Sequence, residues 1–538
     1  MASLNGKLVF VGFMGSGKSR AARHARRVLG IELLDSDAML EDELGEPIAS
    51  FFDQHGEAAF REREEALVLS LLDRPDAEVL ALGGGAVLSP HVRERLANHL
   101  CIYMEVEPEA AWQRSRDSER PLARDRQGFL ALLEERTHLY ESVARAIVPA
   151  RDDMIERALP AASRLAAPGV PSSTRMVWAR TSAGGYPVYV GDGIAAASGP
   201  LWPNAERCFV IADARVQELH GEGFASGLGG RVTVAGTITV PAGEQSKTLS
   251  SAERVLEALA EDGMERADTL VAFGGGVAGD LAGFCAAVYQ RGVALVQVPT
   301  TLVAQVDSAY GGKTGVDLPV AKNYVGAFHQ PIGVFTDPGL LTTLPAEEIR
   351  AGFSEVIKTG LIAGGDLWDE VTRIDEIDTA VVDDAESVRR LIEGCLRTKL
   401  AIVAEDEHDR EMRASLNLGH TVAHGIEAAG SYGGYRHGEA VALGLLVALR
   451  LSERDAGLDP AVRDKLVELL QRHGLPTAFT GISTDQILAH AALDKKRRGG
   501  RHRLVLLQAP GKVITDYKVS EEALRDAIQE ISAEGVRS

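Results

Sequence analysis

The sequence is poor in cysteine and lacks long hydrophobic runs. Its four cysteines, Cys101, Cys208, Cys285 and Cys395, stand far apart and form no CxxC pair. This pattern is typical of buried thiols in a reducing cytoplasm and not of a disulfide framework. No stretch of 18 or more apolar residues occurs, so we expect no membrane span. The first residues run directly into a strand and a glycine loop, so we also expect no secretory signal.

Basic residues are outnumbered by acidic ones. The chain has 57 Lys and Arg against 77 Asp and Glu, which gives a formal net charge of −20. Such a surface disfavours binding to nucleic acid or to an anionic membrane. An anionic substrate must therefore be bound by local basic pockets. The length of 538 residues predicts several packed domains.

A phosphate-binding loop follows the first apolar stretch. Residues 7–12, KLVFVG, predict a strand, and GFMGSGKS matches the pattern GxxxxGK[ST] through Gly12, Gly17, Lys18 and Ser19. Glycines let backbone N–H groups turn toward phosphates, Lys18 can reach the β/γ oxygens, and Ser19 can ligate Mg²⁺ at the start of a helix. We therefore expect ATP contacts from Gly15, Ser16, Gly17, Lys18 and Ser19.

Two aspartates, three arginines and a glycine triplet follow the loop. They are Asp35 and Asp37 in LLDSD, Arg61 in AAFRERE, the triplet 83–85 in ALGGGAV, Arg120 in SERPLA and Arg136 in EERTHLYES. Through this set, residues 1–165 resemble shikimate kinase. A substrate with a carboxylate suits paired arginines, and an acceptor hydroxyl suits an aspartate that orients it or takes its proton.

The resemblance implies a role for each of these positions. Asp35 would lie near Mg²⁺ through a water, and Asp37, Arg61, Gly84 and Arg136 would bind shikimate. Arg120 would belong to a lid, residues 112–125, that closes over ATP. Lys18 and Asp37 are the candidate catalytic residues of this half.

A change of composition separates the two halves of the chain. Residues 166–174, AAPGVPSST, carry two prolines, a glycine and two serines, which is typical of a linker. MVWARTS and YPVYVGDGI then predict strands. Beyond them CFVIADARV, TLVAFGG and VALVQVP predict buried strands that alternate with helices, as in a parallel sheet with a nucleotide along its carboxyl edge. The GGGVAGD turn is not GxGxxG and does not by itself establish a dinucleotide site.

Three histidines cluster late in the sequence. His420 and His424 are four residues apart, so on a helix they share one face, and His437 begins a second apolar helix. This spacing suits a divalent metal, with Glu427 and Glu439 nearby, although hydrogen-bonded core or surface histidines would give the same pattern. The residues alone leave the remaining ligand open.

A series of motifs in the second half resolves that question by resemblance. GEQSK, GGGVAGD, VPTTLVAQVDSAYGGKTG, KNYVGAFHQP, GFSEVIKTG, LNLGHT and HGEA occur in this order, and through them the chain from residue 176 onward resembles 3-dehydroquinate synthase. The resemblance implies an NAD-binding part followed by a helical part with catalytic zinc or cobalt. The implied metal ligands are Glu355, His420 and His437, while His424 would line the substrate site. It also implies a homodimer in which Arg291 reaches the neighbouring site.

The same resemblance implies two larger sets of contacts. Those to NAD would be Asp213, Glu244, Lys247, Gly276, Val277, Ala278, Gly279, Asp280, Thr300, Thr301, Lys313, Lys322, Thr342 and Thr343. Those to the heptulosonate phosphate would be Arg291, Asp307, Lys313, Asn323, Lys358, Lys399, Arg413, Asn417, His424, Lys495 and Lys496, of which Lys313, Lys358, Arg413, Asn417 and His424 would be catalytic. One departure is Arg215, which follows Asp213 where the family carries a small polar residue. The basic run 495–503 is either a solvated loop or part of the phosphate site.

These expectations define an α/β protein of several domains. They are a three-layer P-loop kinase domain (1–165), a linker (166–175), a Rossmann-like NAD-binding domain (176–338) and an α-helical metal-binding domain (339–538). The expected activities are ATP-dependent phosphorylation of shikimate and conversion of 3-deoxy-D-arabino-heptulosonate 7-phosphate to 3-dehydroquinate and phosphate. Two alternatives stay open for the second half: another sugar-phosphate cyclase of the inosose or valiolone type, or a non-catalytic scaffold.

Overall fold

The chain forms two compact units. The computed structural model describes residues 6–76, 78–116, 125–151, 153–203, 206–319, 321–430, 434–491 and 502–532. The first unit comprises residues 1–189 with 197–204 and 227–231, and the second comprises the remainder. No helix in these ranges is both long enough and apolar enough to span a bilayer.

The first unit is built around a sheet with strand order β2-β3-β1-β4-β5-β6-β7. Its strands are β1 (Leu8–Val11), β2 (Leu33–Asp35), β3 (Val79–Ala81), β4 (Leu100–Glu105), β5 (Ala146–Pro149), β6 (Arg175–Ala179) and β7 (Tyr186–Val190). Pairing from β2 to β6 is parallel throughout. Residues Leu8–Val11 are all buried, because strands inside a parallel sheet are covered on both faces.

Seven helices of the described residues accompany this sheet. They are α1 (Lys18–Leu29), α2 (Ser36–Leu44), α3 (Ile48–Leu72, kinked at Gly56), α4 (Pro90–Leu96), α5 (Pro108–Ser115), α6 (Arg126–Val143) and α7 (Met154–Ser163). The predicted loop-to-helix junction lies where β1 ends and α1 begins. This confirms the strand, glycine loop and helix expected there.

The first unit extends beyond the predicted boundary at residue 165. Arg145 donates hydrogen bonds to the carbonyl oxygens of Leu165, Pro171 and Thr174, so the proline-rich segment is fixed to the unit. Ala146 of β5 then pairs in register with Met176 of β6. The backbone groups at the edge of β5 are satisfied by β6, and the two strands that follow the segment belong to the same compact unit.

The second unit begins with a parallel sheet of strand order β14-β11-β10-β8-β9. Its strands and helices are β8 (Arg207–Asp213), α8 (Ala214–Gly227), β9 (Thr233–Val240), α9 (Leu249–Glu261), β10 (Thr269–Gly274), α10 (Gly276–Val288), β11 (Ala294–Pro299) and β14 (Gly333–Thr336). Between β11 and β14 lies the antiparallel hairpin of β12 (Lys313–Leu318) and β13 (Ala321–Phe328). The alternation of strand and helix predicted from the sequence is confirmed.

The rest of the second unit is mainly helical. Its elements are α11 (Ala346–Ala363), α12 (Gly365–Arg373), α13 (Ile377–Asp383), α14 (Ala385–Glu405), α15 (His420–Ala429), α16 (His437–Ala456), α17 (Pro460–Arg472), α18 (Thr484–Ala491), the hairpin β15 (His502–Ala509) and β16 (Lys512–Val519), and α19 (Glu521–Glu530). His420 and His437 are the first residues of α15 and α16. This confirms that His420 and His424 share a helix and that His437 begins the next one. The architecture agrees with the expected order of α/β and helical parts.

Candidate active sites

The phosphate loop of the first unit connects β1 to α1. Gly17 has φ 81°, a left-handed conformation that a glycine adopts without strain and that turns the chain into the helix. Lys18 Nζ donates to the carbonyl oxygen of Phe13 at 3.0 Å. Ser16 Oγ is buried and has no hydrogen-bond partner among the described residues. A buried hydroxyl in this state fits a loop that is completed by phosphate oxygens.

Side-chain hydrogen bonds join the phosphate loop to the segment 35–37, and that segment to the glycine triplet. Asp35 Oδ2 accepts from Ser19 Oγ at 2.9 Å, and Asp35 Oδ1 accepts from the backbone N–H of Asp37 at 3.2 Å. Ser36 Oγ accepts from the N–H of Gly83 at 2.8 Å. These bonds bring the glycine triplet close to Ser19 and Asp35. The Ser19 hydroxyl and the Asp35 carboxylate are adjacent oxygen ligands of the kind that Mg²⁺ binds.

The arginine pocket, which we define by Arg61, Glu64 and Arg136, lies beside the glycine triplet. Arg61 Nη1 contacts Glu64 Oε2 at 2.5 Å, and a Cβ atom at position 85 would collide with the Arg61 guanidinium. Gly84 lies close to the phosphate loop, and its carbonyl oxygen accepts a hydrogen bond from Tyr140. The arginine therefore packs directly on the glycine triplet. Any side chain at position 85 would displace it.

The second arginine of this pocket is almost fully buried. Arg136 is 4% exposed, and its Nε has no hydrogen-bond partner among the described residues. Burial lowers the pKa of Arg136, an effect that the charge of Arg61 strengthens and Tyr140 opposes. Two guanidinium groups with an unused buried donor form a site for a carboxylate.

Glu64 belongs to this pocket although the motif comparison did not identify it. It is 4% exposed and pairs with Arg61. Burial raises the pKa of Glu64, and the positive charge of Arg61 opposes this. Its spacing of three residues from Arg61 on α3 was the available signal, because such residues are neighbours on a helix surface.

The predicted lid is described only in part. Trp112 lies on α5, and its ring packs edge-on against Phe129 at a centroid distance of 5.3 Å. Arg120 lies outside the described residues. The predicted role of Arg120 therefore stays a prediction.

In the second unit, the predicted NAD contacts gather at the carboxyl ends of the strands. Asp213, at the end of β8, accepts at Oδ1 from the backbone N–H groups of Arg215 and Val216 at 2.9 and 3.3 Å. Gly276, Val277, Ala278, Gly279 and Asp280 form the first turns of α10, directly after β10. Thr300 Oγ1, just beyond β11, is buried without a hydrogen-bond partner in the described ranges. These features fit a nucleotide at the start of a helix.

A buried lysine connects several of these positions. Lys247 Nζ lies 2.9 Å from Asp280 Oδ2, 2.6 Å from Asn323 Oδ1 and 3.4 Å from Glu244 Oε1. Burial lowers the pKa of Lys247, but the charges of Asp280 and Glu244 outweigh that effect and raise it. Lys322 lies 3.8 Å from Glu244 and 3.1 Å from Glu427. Acidic and basic side chains therefore alternate in a series of contacts that runs from Asp280 on α10 to Glu427 on α15.

Three residues on three helices form the candidate metal centre. Glu355 on α11, His420 on α15 and His437 on α16 each offer a ligand atom, and these atoms lie within 4.8 Å of one another. Glu355 Oε1 is 3.1 Å from His437 Nε2 and 3.5 Å from His420 Nε2. Two imidazoles and one carboxylate are the ligands of many catalytic zinc sites, which keep further positions open for substrate.

Close helix packing brings these ligands together. A Cβ atom at position 438 would collide with the carbonyl oxygen of Ala351 on α11, so only glycine lets the start of α16 approach so closely. Glu355 is four residues after Ala351 and therefore lies on the same face of α11. His437, the neighbour of Gly438, consequently meets Glu355.

His424 lies near this centre but is not one of the three grouped residues. Its ring centroid is 5.6 Å from that of His420, one helical turn away. The spacing of His420 and His424 alone had suggested a ligand pair. The grouping of described residues instead contains Glu355, His420 and His437, the set that the motifs implied.

Four of the basic residues predicted for the substrate site have an oxygen partner in the protein, and that of Lys358 is Glu355 itself. Lys358 Nζ is 2.5 Å from Glu355 Oε2, and Lys399 Nζ is 2.8 Å from Asp307 Oδ1. Arg413, 2% exposed, donates from Nη1 to the carbonyl oxygens of Gly311 and Glu407. Lys313 Nζ contacts Asp409 Oδ2 at 2.5 Å. Asn417 closes the short 3₁₀ helix 412–417 directly before the first histidine helix.

Burial and charge compete within this cationic pocket. Burial lowers the pKa of Lys399 to about 8, although the charge of Asp307 opposes the shift. Burial would also raise the pKa of Glu355, but Lys358 and His420 outweigh it and hold that pKa well below its usual range. Glu355 therefore stays an anion despite being 1% exposed.

The remaining predicted positions are less closely connected to the two centres. Thr342 and Thr343 lie in the 3₁₀ helix 338–343, where Thr343 Oγ1 is 2.7 Å from His220 Nε2. Arg291 is exposed, with φ 68°, in a turn after α10. Lys495 and Lys496 lie outside the described residues.

Comparison with known proteins gives matches along most of the chain. The family model for shikimate kinase matches residues 14–161. Those for the N-terminal and C-terminal parts of 3-dehydroquinate synthase match residues 237–351 and 352–497.

Curated relatives and solved structures agree with these matches. A 3-dehydroquinate synthase of Halorhodospira halophila is 42% identical over 362 residues, which cover 66% of this chain and 99% of that protein. One from Acidithiobacillus ferrooxidans is 41% identical and covers 65% and 96%. A 2-deoxy-scyllo-inosose synthase, solved with carbaglucose-6-phosphate, NAD⁺ and Co²⁺, is 27% identical with a TM-score of 0.61 and covers 66% and 99%.

Replacement of Lys358 by Met is expected to destabilise α11, because it removes the amine that compensates the buried charge of Glu355. Breaking a buried ion pair costs about 3–5 kcal/mol. We therefore expect the amides of α11 to exchange with deuterium at least about 100-fold faster in metal-stripped protein. The matched control Lys313→Met removes an amine whose side chain is 49% exposed. It should change that exchange less than about fivefold, and equal effects of the two variants would contradict the prediction.

Proposed function

This chain belongs to the 3-dehydroquinate synthase family and carries a shikimate kinase domain before it, and we propose a role for the site residues of each half. The chain is a bifunctional enzyme of the shikimate pathway, which makes the precursor of the aromatic amino acids. The observation that carries the synthase assignment is the Glu355, His420 and His437 cluster beside Lys358. The four free, buried cysteines support a location in the cytoplasm.

In the kinase half, the phosphate loop and the arginine pocket bind the two substrates side by side. Lys18 and the loop N–H groups hold the ATP phosphates, and Ser19 with Asp35 supplies the Mg²⁺ position. Arg61 and Arg136 bind the shikimate carboxylate, and Gly84 lines the pocket. Asp37 orients the acceptor hydroxyl and takes its proton as the γ-phosphoryl group is transferred in line. Glu64 fixes Arg61 through its ion pair.

In the synthase half, the donor set fits a divalent metal, Zn²⁺ or Co²⁺. It offers two imidazoles and one carboxylate. The Thr300 hydroxyl, which has no hydrogen-bond partner in the part of the chain that the structure describes, fits a bound nucleotide. When bound, the metal supplies a Lewis acid for the substrate hydroxyl and ketone oxygens, and NAD⁺ supplies a reversible hydride acceptor. Glu355, His420 and His437 would hold the metal, and residues 276–280 with Thr300 would hold NAD⁺.

The cationic pocket then binds the heptulosonate phosphate, which carries a phosphate and a carboxylate. Lys313, Lys358, Lys399 and Arg413 supply N–H donors for these anions, while the three lysines also pair with carboxylates of the protein. His424 and Asn417 line the same pocket, where His424 can exchange a proton with the substrate. A sugar phosphate without a carboxylate would leave some of these donors without a substrate oxygen to bind. The basic residues therefore favour dehydroquinate synthesis over an inosose-type reaction.

The domain limits that we propose follow the functional residues. Residues 1–165 provide the kinase site, 176–338 the NAD-binding residues, and 339–538 the metal ligands, with 166–175 between the halves. Packing assigns β6 and β7 to the first compact unit. None of the kinase residues named above lies on those two strands.

The two activities should be separable by single substitutions. Lys18→Ala removes the phosphate-binding amine, so shikimate-dependent ADP formation should fall at least about 100-fold. Phosphate release from the heptulosonate phosphate with NAD⁺ and Zn²⁺ should be unchanged. His420→Ala should have the reverse effect. Failure of the wild-type protein to release phosphate while it still forms ADP would require a different substrate for the second half.

The pKa of Lys399 predicts a pH dependence of the synthase. Its folded value of about 8 lies below the ordinary value for lysine, so the amine is charged below pH 8 and loses its proton above it. The synthase kcat/KM should therefore fall as the pH rises through about 8, because a neutral amine binds the anionic substrate weakly. Lys399→Arg keeps the charge and should move that decline above pH 10. An unchanged profile in this variant would exclude Lys399 as its source.

We also propose that the synthase half forms a homodimer in which Arg291 serves the neighbouring site. Its support is the exposure of Arg291 in a turn that Tyr289 and Gln290 fix by donating to the carbonyl oxygen of Met264. Arg291→Ala and His420→Ala should each be nearly inactive alone. After unfolding and refolding as an equal mixture, about a quarter of the wild-type activity should return, because half of random dimers contain one complete site. No recovery in mixed dimers detected by mass spectrometry would place Arg291 outside the neighbouring site.

A further inference from the structure

Each of the two histidines of the candidate metal centre has an oxygen atom facing its second ring nitrogen. His420 and His437 each direct Nε2 toward Glu355 Oε1. His420 Nδ1 lies 3.2 Å from the carbonyl oxygen of Leu418, and His437 Nδ1 lies 3.5 Å from Glu427 Oε2. An acceptor at Nδ1 places the ring proton there and leaves the Nε2 lone pair for a metal.

Glu427 is an unusual residue to find at this position. It lies on α15, two turns after His420, and is only 4% exposed. A buried carboxylate is costly unless cations or donors compensate it. Its partners are His437 on α16 and Lys322 on β13, the latter at 3.1 Å. Glu427 thus connects the histidine helix α16 to the hairpin beside the NAD-binding residues.

We propose that Glu427 is a positioning residue of the metal centre: it fixes the ring of His437 through Nδ1 and is itself held by Lys322. The inference rests on the proposed metal-dependent function, and Glu427 is not one of the three ligands. The carboxylate keeps the Nε2 lone pair of His437 directed at the ligand cluster and increases the basicity of that nitrogen. Lys322 holds the carboxylate in this orientation and compensates its charge when the metal is absent.

Metal affinity of the full chain tests this role directly. Metal-stripped protein is titrated with Zn²⁺ in competition with a chromophoric chelator, and Co²⁺ is added separately to record the visible spectrum. Glu427→Gln should weaken Zn²⁺ binding by about 10–100-fold and change the position or intensity of the Co²⁺ bands. Lys322→Met should weaken Zn²⁺ binding less than Glu427→Gln, because the carboxylate is retained.

The control is a buried carboxylate elsewhere in the same unit. Glu393 on α14 is 8% exposed and pairs with Arg389. Glu393→Gln should leave Zn²⁺ affinity within about twofold of wild type and the Co²⁺ spectrum unchanged. Cooperative thermal unfolding, measured on each variant, verifies that the second unit is folded, and shikimate-dependent ADP formation does the same for the first unit.

The outcomes separate this inference from the function on which it rests. Zn²⁺ affinity and a Co²⁺ spectrum equal to wild type in Glu427→Gln would overturn the positioning role while leaving the metal site in place. Wild-type protein that binds neither Zn²⁺ nor Co²⁺ would overturn both the metal-dependent function and the inference. A loss confined to Glu427→Gln and Lys322→Met, with normal binding in the control, would establish the role.

Discussion

The synthase site depends on keeping one carboxylate ionised inside the protein. Glu355 is 1% exposed, and an unpaired charge at such a depth would not be tolerated. Lys358 on the same helix and the histidines that begin α15 and α16 surround it. The packing of the three helices therefore places the groups that keep Glu355 ionised and the groups that could bind a metal. The glycine next to His437 matters because it permits the backbone contact that brings the second histidine into range.

The buried polar groups of the kinase site are paired differently. This site has no comparable cluster of carboxylate and histidines among the described residues. Instead, some of its buried hydrogen-bond donors have no partner in that part of the chain. Arg136 Nε and Ser16 Oγ have no protein partner in the described ranges. Donors in this state cost stability in the empty protein but are already placed for anionic groups of a substrate. The kinase half thus leaves part of the pairing of its buried donors to its ligands.

The sequence made some of this predictable and left other parts hidden. Contiguous motifs predicted the phosphate loop and the strand and helix alternation, because local chemistry and periodicity determine them. Glu427 has partners on other elements, and a single sequence does not show which groups face each other. Glu64 could have been identified, because it lies three residues from Arg61 on one helix. The spacing of His420 and His424 was misleading, since a shared helix face does not decide what lies opposite it. The segment 166–174 had the composition of a linker, but its attachment to Arg145 depends on tertiary hydrogen bonds that composition does not reveal.

The pairing of β6 with β5 affects whether the kinase part could be separated from the rest of the chain. A kinase fragment that ended at residue 165 would expose the backbone N–H and C=O groups along the edge of β5, which are now paired in register from Ala146. Exposed edges of this kind recruit strands from other molecules and promote aggregation. The sequence beyond the kinase motifs thus protects the kinase sheet, and loss of the fusion by a simple break at the motif boundary would carry a cost in solubility.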